Sequence, residues 1–144
     1  MDNDSRTHFH LETTADVTSM WRSLIQPLGW DQPTLYVVMV DQGRVASPAV
    51  LAVDEMPEKI SVGDAEQFMA FFASLIGGDG FEHVASVALL TCRPGSGVPD
   101  DSDRASCDRL YRAARTRGVP LEVIHVGTDT AITPAPMDEV AGAA

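Results

Sequence analysis

The residues of this chain whose types and spacing bear on chemistry fall in one stretch, Thr91-Cys92-Arg93-Pro94-Gly95-Ser96-Gly97, followed closely by Asp101-Ser102-Asp103. A thiol beside a cation at the start of a helix has a lowered pKa and becomes a nucleophile. Two glycines around Ser96 allow backbone amides to turn inward as an anion nest. Cys92, Arg93, Gly95, Ser96, Gly97, Asp101 and Ser102, joined by His125 from a later strand, are therefore the candidate ligand-binding residues for a small anion or nucleotide. The stretch stops short of established catalytic signatures. It lacks the Gly-Lys-Ser/Thr ending of a P-loop and the third glycine of a dinucleotide fingerprint. A phosphatase-type cysteine needs an arginine where Val98 stands, and no G-x-S-x-G elbow is present. No catalytic residue, metal ligand or cofactor is assigned. His8-Phe9-His10 is an H-x-H pair, but without an acid or thiol at useful spacing it reads as two solvated histidines. Cys92 and Cys107 lack C-x-x-C spacing and read as buried bystanders.

Such residues need elements that place a loop between an apolar strand and a helix. Val84 to Leu90 is too apolar to have one wet face, which predicts a central strand between two layers. The loop from Thr91 to Asp101 then lies beyond that strand's carboxyl end, where open α/β sheets gather ligands. Asp101, Ser102 and Asp103 offer a cap and first-turn acids to a helix over 102–117, which Gly118 closes. Arg104, Arg109, Arg112, Arg115 and Arg117 on that helix are half of the chain's ten basic residues. In an acidic protein they read as balancing its own charge.

The remaining elements follow from periodicity and punctuation. Thr13 or Thr14 caps a helix over 14–26 with an apolar stripe from Val17 to Leu28, and Trp21 and Trp30 read as packing residues. Leu35–Val53 is a β-hairpin with a positive φ expected at Gly43, and Pro48 makes its second strand an edge or places a bulge there. Asp54, Glu55 and Glu58 form a solvated acidic connection. Ser61 and Asp64 form a capping box for a helix over 63–76 with an aromatic stripe. Val119–Val126 is expected as the final core strand, with Ala131–Thr133 as a short extended piece. The predicted organisation is a flexible segment 1–12, a single α/β domain over 13–133 with a mixed β-sheet flanked by helices, and a disordered tail 134–144.

A formal net charge of −11 repels phosphate backbones and anionic lipid, so nucleic acid is not an expected partner. No stretch reaches the roughly 20 apolar residues of a membrane span, and Met-Asp-Asn-Asp is the opposite of a basic leader. The expected location is the cytoplasm.

The order hairpin, helix, strand, Pro/Gly loop, helix, strand resembles the JAB/MPN metalloprotease-like (cytidine-deaminase-like) fold, and its RadC branch in particular. The likeness covers most of residues 34 to 133. In that family the central strand ends in His-x-His-Pro, and a Pro/Ser-rich loop then leads to Ser-x-x-Asp and a basic helix. Here the text is Thr91-Cys92-Arg93-Pro94, and the position three after Ser102 is Ala105. The resemblance therefore implies the family's scaffold without its zinc histidines, since a guanidinium at Arg93 would repel a metal ion. It implies a metal-free, non-catalytic interaction module, with a protein partner or a second copy meeting the 91–101 loop or the hairpin edge. The alternative from the residues is an anion- or nucleotide-binding protein using Arg93, Ser96 and the loop amides.

Overall fold

In the computed structural model, residues 9–54 and 56–136 are described, with the side chain of residue 48 left aside. Three helices cover a six-stranded sheet. In chain order the elements are β1 (Phe9–His10), α1 (Thr14–Leu24), β2 (Thr34–Asp41), β3 (Val45–Val53), α2 (Val62–Leu75), β4 (Val84–Cys92), α3 (Asp101–Arg117), β5 (His125–Gly127) and β6 (Ile132–Pro134). The strands lie in the order β1-β3-β2-β4-β5-β6. Only β4 and β5 run parallel, so the sheet is mixed.

The pleat sorts the core into two halves. Leu35 and Val37 of β2 and Val87 and Leu89 of β4 face Met69 and Phe72 of α2 and Leu110 and Ala114 of α3. Val38 and Val40 of β2 and Ala88 and Leu90 of β4 face Val17, Met20 and Trp21 of α1. Alternate residues thus feed opposite layers, which is why the central strands are apolar throughout. Trp21 is fully enclosed, and its Nε1–H finds no acceptor among the described residues. Its position is set by burial of the ring.

The helices begin where their caps dictate. Thr13 with Asp16, Ser61 with Asp64, and Asp100 with Asp103 each form a reciprocal capping box, and Gly118 closes α3 at φ 73°. The cap of α3 is therefore Asp100, one residue before the expected Asp101–Asp103 group. Asp100 is better placed because the acid three residues on, Asp103, can reach back to its amide at 2.9 Å.

The hairpin departs from expectation at its turn and keeps it along its strand. Arg44, not Gly43, takes the left-handed conformation, at φ 66°. Asp41 Oδ1 accepts from the amides of Gly43 and Val45 at 2.9 Å each, which fixes the turn around Arg44. Between Val38 and Val40 the register of β2 with β3 slips, so the segment around residue 48 bulges.

The domain is longer than its expected 13–133 at both ends. Phe9 and His10 pair with Ala46 and Val45, and Leu11 is fully buried, so residues 9–12 belong to the fold and not to a flexible segment. Pro134 lies in β6 and Ala135 is buried, its carbonyl accepting from Tyr111 Oη at 2.8 Å. The rest of the expected flexible segment, His8 included, and the tail from 137 onward lie outside the described residues. The expected last strand shortens to His125–Gly127, with an isolated bridge from Leu121 to Val87. At that bridge the Pro120 carbonyl accepts from Val87 N–H at 3.0 Å and Glu122 N–H donates to the Val87 carbonyl at 2.9 Å. Among the described residues no helix is long and apolar enough to cross a membrane.

Candidate functional site

Beyond the carboxyl end of β4 the chain enters the loop that leads to α3, and Arg93 is its first residue. The guanidinium grips Asp103 from two sides, with Nε 2.9 Å from Oδ1 and Nη2 2.8 Å from Oδ2. Asp103 is only 10% exposed and also accepts the Asp100 amide, so one carboxylate serves both the arginine and the helix start. This pairing, more than the neighbouring acids, holds the Arg93 pKa above its ordinary value. The Asp103 amide in turn holds Asp100 below the usual carboxylate range. The cation expected to meet a ligand is thus neutralised within the fold.

The nest amides are occupied in the same way. Gly95 and Gly97 both stand at φ 101°, a conformation glycine adopts freely. Gly95 N–H donates to Asp129 Oδ2 at 2.9 Å, and Gly97 N–H donates to Thr130 Oγ1 at 3.0 Å. Thr128 Oγ1 donates to the Gly97 carbonyl at 2.8 Å. The Asp129 carboxylate and the Thr130 hydroxyl therefore sit where an external anion would bind, while Thr128 holds the Gly97 carbonyl. Ser96 and Asp101 are exposed, and Asp101 lies 3.9 Å from Arg104; Ser102 is half-buried in the first turn of α3.

Cys92 is buried, and burial pushes its thiol well above the ordinary range. A Cβ on Gly127 would stand 2.8 Å from Cys92 Sγ and 3.1 Å from Trp30 Cη2, so the cysteine is walled in by backbone and indole. Burial likewise pushes the Cys107 thiol up to about 12. Neither is an activated nucleophile. The cavity bordered by Thr91, Cys92, Arg93, Asp103 and Ser106 holds about 30 Å³, the volume of a single water rather than a nucleotide.

His125 does not join the loop. It pairs in register with Leu90 and turns to the α1 face, fully buried. Its Nε2 lies 2.6 Å from Thr18 Oγ1 and its Nδ1 3.0 Å from the Val123 carbonyl. A carbonyl only accepts, so Nδ1 carries the proton; in the neutral ring Nε2 then takes the single Thr18 hydroxyl proton in place of the Thr14 carbonyl, which lies 3.1 Å from the same oxygen. Burial lowers the imidazole pKa to about 4, with Arg22 adding to the effect.

Of the eight candidates, the structure thus brings Cys92, Arg93, Gly95 and Gly97 together with Asp103, Asp129, Thr128 and Thr130, which the sequence had not assigned to the site. Asp103 was legible only as a helix-start acid. Asp129 lies 34 residues from Gly95, and no local pattern announces that contact. The basic helix is similarly self-contained: Arg112 pairs with Asp108, Arg117 with Glu66, and Arg109 donates to the Ile60 carbonyl. His10 is exposed and lies 3.0 Å from Glu12. Among the described residues no three His, Cys, Asp or Glu side chains stand together as a metal site would require.

Compared with known proteins, the chain matches no family model, no curated protein and no solved structure.

Proposed function

We propose that this chain is a non-catalytic interaction module that associates through the open edge of β3, with a second copy of itself as the partner. The observation that carries the reading is the state of that strand. On its outer side β3 is paired by β1 at Val45 and Ala46 alone, while Ser47 to Val53 carries no strand there among the described residues. Leu51, midway along this free stretch, is 49% exposed, and Ala49 and Ala52 beside it are exposed and small. The Ala49 N–H is held by Ser47 Oγ at 3.2 Å and residue 48 is a proline, so the open part of the edge is Val50 to Val53, and an edge without a neighbouring strand that carries a half-bare leucine is a template for strand addition. The self-satisfied loop supports the same reading, because its arginine and nest amides already have partners. A JAB/MPN-like scaffold with Thr91 and Arg93 in place of zinc ligands belongs to this proposal and rests on the order of elements and those two residues.

The mass of the purified protein in solution tests it, together with the variant Leu51→Lys and elemental analysis for zinc. The expected result is a metal-free dimer that becomes monomeric when a lysine is placed on the edge, with helix content unchanged. A wild-type protein that stays monomeric at its highest soluble concentration would overturn the self-association, and stoichiometric zinc would overturn the metal-free scaffold.

A further inference from the structure

The sheet's other border, at β6, carries a feature unrelated to the β3 edge. A groove of about 510 Å³ lies between the end of α1 and the start of β6. That volume is in the range of small-molecule sites, roughly 300–1,000 Å³. Its apolar surface comes from Ile25, Pro27 and Leu28 on one side and Ala131 and Ile132 on the other. Its one charged group is Arg22, which is exposed and lies in the last turn of α1. The Arg22 guanidinium donates through Nη2 to the Ile132 carbonyl at 3.2 Å, which pins it to the groove wall. Among the described residues no carboxylate pairs with it, unlike Arg44, Arg93, Arg112 and Arg117, each of which has found an acid in this acidic chain. The nearest acid in sequence on the β6 side, Asp129, is taken by the amides of Gly95 and Trp30.

We infer that this groove is a binding site for an amphipathic monocarboxylate, whose apolar body lies on Ile25, Pro27 and Leu28 while its carboxylate pairs with Arg22. A guanidinium offers planar donors matched to a carboxylate, and one donor held by Ile132 leaves the rest of the fork for the ligand. A single cation in a chain of net charge −11 balances one negative charge and not two, which selects against a phosphate dianion. Arg22 also bears on His125, whose protonation its charge opposes. A bound carboxylate would cancel that charge, so occupancy is felt at a buried imidazole on the same face of α1.

The probes are octanoate, octanol and acetate, titrated separately into the isotope-labelled full chain and followed by two-dimensional NMR. Octanoate is expected to saturate with shifts confined to residues 22–28, 130–132 and His125, and to bind at least about tenfold tighter than octanol, the margin of one charge-assisted pair. Acetate, lacking the apolar body, is expected to show no saturation. Arg22→Gln, at an exposed position, should bring octanoate down to the affinity of octanol. Equal binding of octanoate and octanol by the wild-type chain, or shifts spread over the whole sheet, would overturn the assignment without reliance on any variant. So would an unchanged octanoate affinity in a folded Arg22→Gln protein.

Discussion

His125 is a titratable group closed inside the layer under α1, and the consequence is a defined response to acid. The ring is neutral in the fold, with Nδ1–H on the Val123 carbonyl and Nε2 on Thr18. Its folded pKa of about 4 lies below the ordinary 6.5, so between those values the unfolded chain takes up a proton that the folded chain refuses. The stability His125 contributes is therefore complete above pH 6.5, falls as the pH drops towards 4, and reaches a floor below that. The full loss is on the order of 3 kcal/mol. Glu122, held below its ordinary 4.5 chiefly by hydrogen bonds from Arg44, begins to weaken the fold only at lower pH. Urea unfolding of the wild type between pH 7.5 and 5 should show a decline that His125→Gln lacks; parallel curves for the two proteins would remove His125 from this role. The histidine was visible in the sequence as a strand residue, but Thr18 lies 107 residues away and only the assembled sheet brings α1 over β5.

At the scale of elements, the hairpin turn acts as a clamp across the sheet. Arg44 spends a left-handed φ of 66° to direct its guanidinium at Glu122, with Nη1 and Nη2 each 2.7 Å from a carboxylate oxygen. Its Nε donates to the Leu11 carbonyl at 2.9 Å, and Ser86 Oγ donates to Glu122 at 2.5 Å. One arginine thereby ties the segment after β1, the β2–β3 turn, β4 and the approach to β5. Glu122→Gln keeps the shape and removes the charge. It should cost about 1–2 kcal/mol at pH 7, discounted because the Arg44 side chain is 39% exposed. Because the folded Glu122 pKa is lowered, the difference should shrink as the pH falls below 4.5; chemical denaturation at pH 7 and pH 3.5 measures both. The turn shows why some elements were legible and others were not. The three helices stood out because each carries its cap within three residues and a stripe along its length. Gly43 seemed the natural positive-φ residue on local grounds, since nothing nearby reveals that Arg44 has an acid waiting 78 residues on. β1 was missed for the same reason: two residues form a strand only because β3 is there to receive them.

The whole molecule sets the terms on which the proposed pairing of two copies would occur. Each carries a net charge of −11, so bringing two together at the β3 edge works against electrostatic repulsion. The free stretch of β3 offers backbone hydrogen bonds and the apolar surface of Leu51, and its outward-facing residues from Ser47 to Val53 include no charged side chain. Attraction there is short-ranged and insensitive to salt, while the repulsion is long-ranged and screened by it, with a Debye length falling from about 30 Å at 0.01 M to about 8 Å at 0.15 M. Association through this edge should therefore strengthen as salt is added. An interface built on the arginines of α3 against the acids of a partner would do the reverse, because screening weakens ion pairs between exposed charges. Sedimentation equilibrium at low and physiological ionic strength separates the two: a dimer population that grows with salt fits strand addition at β3, and one that dissolves with salt would place the contact on the charged helical face instead.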